Sequence, residues 1–319
     1  MVYQCHASFY VYAFGVLEGK EPDEPTGKNG RCVMKRILFV FTAVLFFTLA
    51  LSSCKKDETN NVNNNGNNNS NTENPGGGSS GSNYNNQEYP STANVIRRAV
   101  TDIDGNCYDA VQIGNQVWMA ENLRTTKYAD GSSIPLGTST STTTAYRYAP
   151  GTNWSSNEDN MINVSRYGYL YNWPAAMHGA SSSEANPSGV QGICPNGWHV
   201  PSDAEWMQLT NYMKTQPQYM ASGNADHLAK ALAATWGWNG SSETDAVGNN
   251  PSTNNATGFS ALPAGAYGGY ASYFSEGVNF WSTTSDYFYS FSNSSASVHR
   301  THINYNDKFF GLSVRCVRN

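Results

Sequence analysis

At 319 residues the chain is long enough for one or two domains with a sizeable core. Its net charge of −5, with no block of Lys and Arg interleaved with aromatics, argues against nucleic acid as a partner. Aromatic and charged residues stand at 13% each, a balance that suits a Tyr- and Trp-rich extracellular domain better than a cytosolic enzyme.

The first strong signal is a basic triplet, Met34-Lys35-Arg36, followed by the largely apolar run Ile37 to Leu51 and then Ser52-Ser53-Cys54. A basic start and a short apolar stretch ending in small residues read as a secretory signal over 34–53. The run falls short of the roughly 20 residues that a transmembrane helix needs. Leu51-Ser52-Ser53-Cys54 resembles the bacterial lipobox, which implies diacylation of Cys54 and attachment to a membrane through lipid. Each buried methylene contributes about 0.8 kcal/mol, so several chains on one cysteine anchor far better than one. Residues 1–33 precede a complete signal with its own methionine and read as an upstream extension outside the fold. Lys55-Lys56-Asp57-Glu58 is similar to the surface-export start of Bacteroidota lipoproteins, which implies the outer membrane and the cell surface. The other reading is an ordinary charged linker and a periplasmic face. Residues 54–93 continue as an Asn-, Gly- and Ser-rich tether with almost nothing to bury. A flexible coil of roughly 35 residues reaches about 30–35 Å, enough to lift a domain clear of a membrane.

From Asn94 the composition changes and a folded domain, 94–319, is expected. Asp102-Ile-Asp-Gly-Asn106 reads as a polar turn. An EF-hand would require a glutamate at loop position 12, and Ile113 stands there. Val111 and Ile113, then Val117 and Met119, alternate around Gly114-Asn115 and predict a β-hairpin. Residues 124–165 carry only weak strand signals. Arg166-Tyr-Gly-Tyr-Leu-Tyr-Asn-Trp173 restores the aromatics. The densest stretch is Gly192 to Trp206, with a cysteine, two prolines, two tryptophans and a helix start. Ser202 and Glu205 have capping-box spacing, and Trp206, Leu209, Thr210 and Met213 recur at helical spacing, so a helix is expected over 203–214. A second helix is expected over 225–235, capped by Asn224. A Gly- and Asn-rich aromatic loop follows over 237–279, then strands at 280–284 and 297–303. The closing run 311–317 places Leu312, Val314 and Cys316 on one inward face.

These pieces in order resemble the Fibrobacter succinogenes major paralogous domain family. The matching segments are Asp102–Asn106, Ile113–Leu123, Tyr167–Trp173, Cys194–Trp206, Asn255–Gly265, Phe280–Thr283 and Ser313–Val317. The resemblance implies an α+β class and a variant of the C-type-lectin-like fold, with two helices, a small mixed or antiparallel sheet and a long irregular loop region. It also implies a disulfide between Cys194 and Cys316, leaving Cys107 as an unpaired small hydrophobe. The same fold serves the sulfatase-modifying oxidases, which need a reactive cysteine pair near the C-terminal end. Here Cys316 stands there without a neighbouring cysteine, so that activity is not carried over.

Lectins of this fold hold calcium through Glu-Pro-Asn or Gln-Pro-Asp and a later Trp-Asn-Asp. Trp281 is followed by Ser282-Thr283, neither tripeptide occurs in the loop, and Trp238-Asn239-Gly240 is a partial echo, so calcium-dependent sugar binding is not expected. His199, His227, His299 and His302 are scattered, and His299 and His302 point to opposite faces of a strand. Asp226 beside His227 reads as a cap-region charge. No hydrolase, zincin, P-loop or dinucleotide motif is present, and neither a catalytic set nor a cofactor is expected. The candidate ligand-binding residues are the loop aromatics Trp236, Trp238, Tyr267, Tyr270, Tyr273 and Phe274, one or two of them expected to be exposed. The expected function is a surface-anchored, non-catalytic binding or adhesion lipoprotein, with a glycan as a candidate ligand. The alternative is a structural component of an envelope assembly with protein partners.

Overall fold

The structure, a computed structural model, describes residues 88–151, 160–268 and 273–319. Residues 1–33, the signal segment 34–53, Cys54, residues 55–87 of the tether and Tyr270 lie outside these.

Alternating side chains build the first sheet. β1 (Asn94–Thr101) and β2 (Cys107–Ile113) are antiparallel and joined by the turn that Asp102 organises. Its carboxylate accepts from the backbone N–H groups of Asp104 and Asn106, from the Asn106 amide and from the Tyr108 hydroxyl. Both oxygens are thus taken by local donors, the arrangement by which aspartate fixes a turn. β3 (Gln116–Met119) pairs with β2 across Gly114-Asn115, which is the expected hairpin. Gly114 has a φ of +60°, and a Cβ there would lie 2.9 Å from the Tyr212 ring, so the turn needs glycine.

The chain continues through β4 (Arg147–Tyr148), α1 (Met161–Tyr167), β5 (Leu170–Tyr171), α2 (Trp173–Met177), β6 (Trp198–His199) and α3 (Asp203–Met213). It closes with α4 (Ala229–Leu232), β7 (Gly277–Trp281), β8 (Tyr287–Ser292), β9 (His299–His302) and β10 (Val317–Arg318). The strands form three small antiparallel sheets in the orders β1-β2-β3-β10-β6, β4-β5 and β7-β8-β9. The class is α+β, and the described residues hold four short α-helices rather than two.

The five-stranded sheet carries core on both faces. Tyr108, Ala110, Met119, Trp198 and Cys316 pack with α2 and Trp281 on one side. Val111, Ile113, Trp118 and Val317 pack with α3, α4, β7 and β8 on the other. At the centre of the second side Trp206 stacks on Tyr289 at 4.9 Å and meets Trp118 at 4.6 Å. Truncating a ring so enclosed typically costs about 3–5 kcal/mol.

α3 starts where the sequence places it. The Ser202 hydroxyl accepts from the Glu205 N–H and the Glu205 carboxylate accepts from the Ser202 N–H, a complete capping box. Such a cap contributes about 1 kcal/mol. The second helix is shorter than expected. Residues 225–228 stay outside it because the Asn224 side chain accepts from the Asp226 N–H in a local turn. At the other end Ala233 turns extended and the Ala234 N–H donates to the Ala261 carbonyl at 2.8 Å, so the backbone is committed to the long loop.

The closing segment also departs from the expected pattern. Leu312, Val314 and Cys316 are buried, yet Ser313 and Arg315 are buried as well, with Arg315 at 0% exposure. Regular pairing is confined to Val317–Arg318, because residues 311–313 make single bridges to Tyr267, Tyr171 and Phe280 instead. The Arg315 guanidinium donates to the Asn122 side chain and to the carbonyls of Met119, Phe259 and Ser260, while lying 4.6 Å over the Phe259 ring. Burial pushes its pKa down to about 9, which leaves it charged at neutral pH. It therefore pegs the loop at 259–260 to the end of β3.

Just before β1, Tyr89 lies under Arg97 at 4.5 Å and Ala93 packs against the core beside α3. The Cys194–Cys316 disulfide is present, tying the turn before β6 to the residue before β10. Cys107 is disulfide-bonded too, which corrects the expectation of an unpaired residue there.

Candidate functional site

α1 is the element that shapes the candidate surface. Asn160 caps it by accepting from the Asn163 N–H, and Gly168 ends it at a φ of +76°. A Cβ on Gly168 would meet the Leu123 carbonyl at 2.6 Å, so the exit is as tight as glycine allows. The Asn122 amide donates to the Tyr167 carbonyl at 2.8 Å and fixes that residue's backbone. The Tyr167 ring then stands between two of the expected aromatics, 5.8 Å from Trp236 and 4.9 Å edge-on to Phe274. Burial raises the Tyr167 hydroxyl's pKa, with Arg166 opposing, so the ring supports its neighbours as a neutral phenol.

The six loop aromatics separate into three groups. Trp236 and Tyr273 are 40% and 53% exposed. Phe274 is half-buried against Tyr167. Trp238 and Tyr267 are buried, and neither can meet a ligand from solvent. Trp238 belongs to the core beside α3, and Tyr267 stacks on Tyr148 at 3.9 Å with the planes 12° apart. The reason is common to both: an irregular loop has no ladder to hold it, so some of its rings become its own core. Tyr270 lies outside the described residues.

The segment bearing Tyr273 is firmly placed. Tyr273 has a φ of +46°, and its carbonyl accepts from the N–H groups of Glu276 and Gly277. Ser275 donates to the Pro263 carbonyl and accepts from the Asn239 N–H at 2.7 Å. The backbone is pinned at both faces while the Tyr273 ring projects outward. Met161 and Ile162, at the start of α1, add 60% and 67% exposed aliphatic surface that the candidate set did not include. Their signal was local. Met161 and Ile162 follow the Asn160 cap directly, and the helix turns Val164 and Tyr167 inward instead.

The histidines are held by structure around them. His199 is buried between the Glu205 carboxylate and the Asn319 side chain, each at 2.6 Å. The His299 Nε2 faces the Ser295 hydroxyl, and the His302 ring meets Tyr287 edge-on. Asp226 pairs with Lys214 at 2.8 Å, whereas His227 finds its carboxylate in Asp245 at 2.9 Å. Ser222 donates to the same carboxylate, and the His227 Nε2 faces the Asn224 amide. A serine relay needs the hydroxyl on the imidazole. Here both groups converge on Asp245 instead. Among the described residues no group of three or more His, Cys, Asp or Glu converges as a metal site would require.

No curated protein and no solved structure matches the chain. A family model covers most of the described domain. The chain belongs to the Fibrobacter succinogenes major domain family, whose model matches residues 111–318.

Proposed function

We propose that the chain is a surface-anchored outer-membrane lipoprotein whose domain, a variant of the C-type-lectin-like fold, binds a glycan without catalysis. The observation that carries the reading is solvent-facing Trp236 set against the Tyr167 ring, which Phe274 braces edge-on, with exposed Tyr273 next to Phe274 in the chain. Rings held this way present flat apolar faces at little entropic cost, which is what stacking on a sugar ring demands. The serine and histidine that share Asp245 support the non-catalytic part, since their geometry holds a loop rather than activating an oxygen. A glycan array with the purified chain tests the reading. Trp236→Ala should weaken any sugar that binds by about tenfold, in line with loss of one aromatic anchor. Equal binding by native protein and variant would place recognition elsewhere.

Anchoring rests on Met34-Lys35-Arg36, the apolar run and Leu51-Ser52-Ser53-Cys54. Cys54→Ala should abolish incorporation of labelled fatty acid, and undiminished label on the variant would refute lipidation at this residue. A second reading, a protein-binding component of an envelope assembly, is favoured by one observation. Met161 and Ile162 add aliphatic surface to the helix that bears Tyr167, and sugar stacking has no use for it. A blank array, with an envelope protein retained by native chain and lost by Ile162→Asp, would support that alternative.

A further inference from the structure

Three backbone carbonyls of the long loop converge on one partly buried charge. Lys230, on α4, sends its ammonium into residues 246–250, where it donates to the carbonyl of Asn249 at 2.5 Å. Two further carbonyls stand around it, Ala246 at 3.3 Å and Asn250 at 3.5 Å. The Asp245 carboxylate adds its field from the same turn. The backbone is bent to make this possible: Asp245 and Asn250 both adopt left-handed conformations, with φ of 60° and 52°. Asp245 is itself held by Ser222 and His227.

Convergent backbone carbonyl oxygens are donors that a hard cation takes. An ammonium has three N–H donors and no acceptor, so it answers three carbonyls and leaves none of its own protons without a partner. We propose that Lys230 is the resident cation of this loop, filling with its own side chain a cage whose donors suit a metal ion, so that the loop keeps its shape without calcium. A unit charge already seated among the oxygens repels a second cation. The consequence reaches the aromatic face. The Ser241 N–H donates to Gly248, within the cage segment, and Asn239 two residues earlier donates to Ser275, next to Phe274. Lys230 also ties its own backbone to the loop, since its carbonyl accepts from the Asn255 N–H at 2.8 Å.

Thermal melting of the purified full-length chain tests the proposal. Native protein should melt at the same temperature in calcium and in chelator. Lys230→Gly should lower the melting temperature by about 4–10 °C, as unpartnered carbonyls in a domain of this size would. Added propylammonium, which can enter the vacated space and donate, should restore much of that loss. Tetramethylammonium at the same ionic strength should not, because it has no N–H. A variant that melts like native protein, a native protein stabilised by calcium, or equal rescue by both ammonium ions would each overturn the assignment. Should the variant fail to fold, native chain labelled with ¹⁵N-lysine reads the same point. One ammonium should exchange its protons slowly, and exchange at the rate of exposed lysines would refute the cage.

Discussion

Glu205 serves three partners through its two oxygens. One accepts from the N–H groups of Ser202 and Ser188, completing the cap of α3, and the other meets the His199 imidazole at 2.6 Å. The cap was legible because its spacing is local, three residues along the chain. The imidazole contact was not, since it depends on how β6 and the turn after it fold back over the helix start. Burial by itself lowers the pKa of His199, and the hydrogen bonds its ring donates to Glu205 and Asn319, with the Glu205 charge, outweigh it, so the pKa stands raised above 6.5. The sign of the pH dependence follows. A raised pKa in the folded state contributes stability that is fully present below about 6.5 and is lost as pH rises through the folded value. Denaturant unfolding of native chain and His199→Gln should therefore differ by about 3 kcal/mol in mild acid, the typical effect of breaking a buried pair. The difference should shrink toward alkaline pH. A gap that widens with rising pH would mean that His199 is held neutral.

Among the elements, those with a strong repeat or a named cap were readable and the short ones were not. The β2–β3 hairpin and α3 follow from alternation, a Gly-Asn turn and a capping box. α1 and α2, at seven and five residues, are too short to establish a 3.6-residue period. They are set by asparagines instead: Asn160 caps α1, and Asn172 caps α2 while its amide donates to the carbonyls of Ser141 and Thr144. Those acceptors lie about thirty residues away in the chain, beyond any local pattern. The expected helix over 225–235 had the right apolar spacing, but pairing of Ala234 with Ala261 claimed its last turn. The aromatic loop shows the same limit. Composition marks six rings as candidates, yet nothing in their spacing separates Trp236, which is exposed, from Trp238, which is core.

At the scale of the whole molecule, the disulfide closes the largest loop in the described domain's covalent frame, joining residues 122 apart. In the chain-entropy model a loop of that length contributes about 4–5 kcal/mol, and removal of native bridges typically costs about 2–5 kcal/mol. The Cys194→Ser/Cys316→Ser variant should accordingly lose stability in that range by denaturant unfolding, and a midpoint equal to that of native chain would contradict the role. The double substitution is preferable to a reductant, because Cys107 is disulfide-bonded as well. The sequence by itself determined the β2–β3 hairpin and the capped helix and, through the family resemblance, the family, the α+β class and the bridge. These rest on local chemistry or on motifs in fixed order. Tertiary structure decided what is buried in the irregular half. Arg315 faces inward because the carbonyls of Met119, Phe259 and Ser260 converge there, and Lys230 turns into its cage because Asp245 and Asn250 bend the loop around it. Residues without a repeating backbone ladder take their orientation from distant partners, and distance in the chain is what a sequence pattern cannot encode.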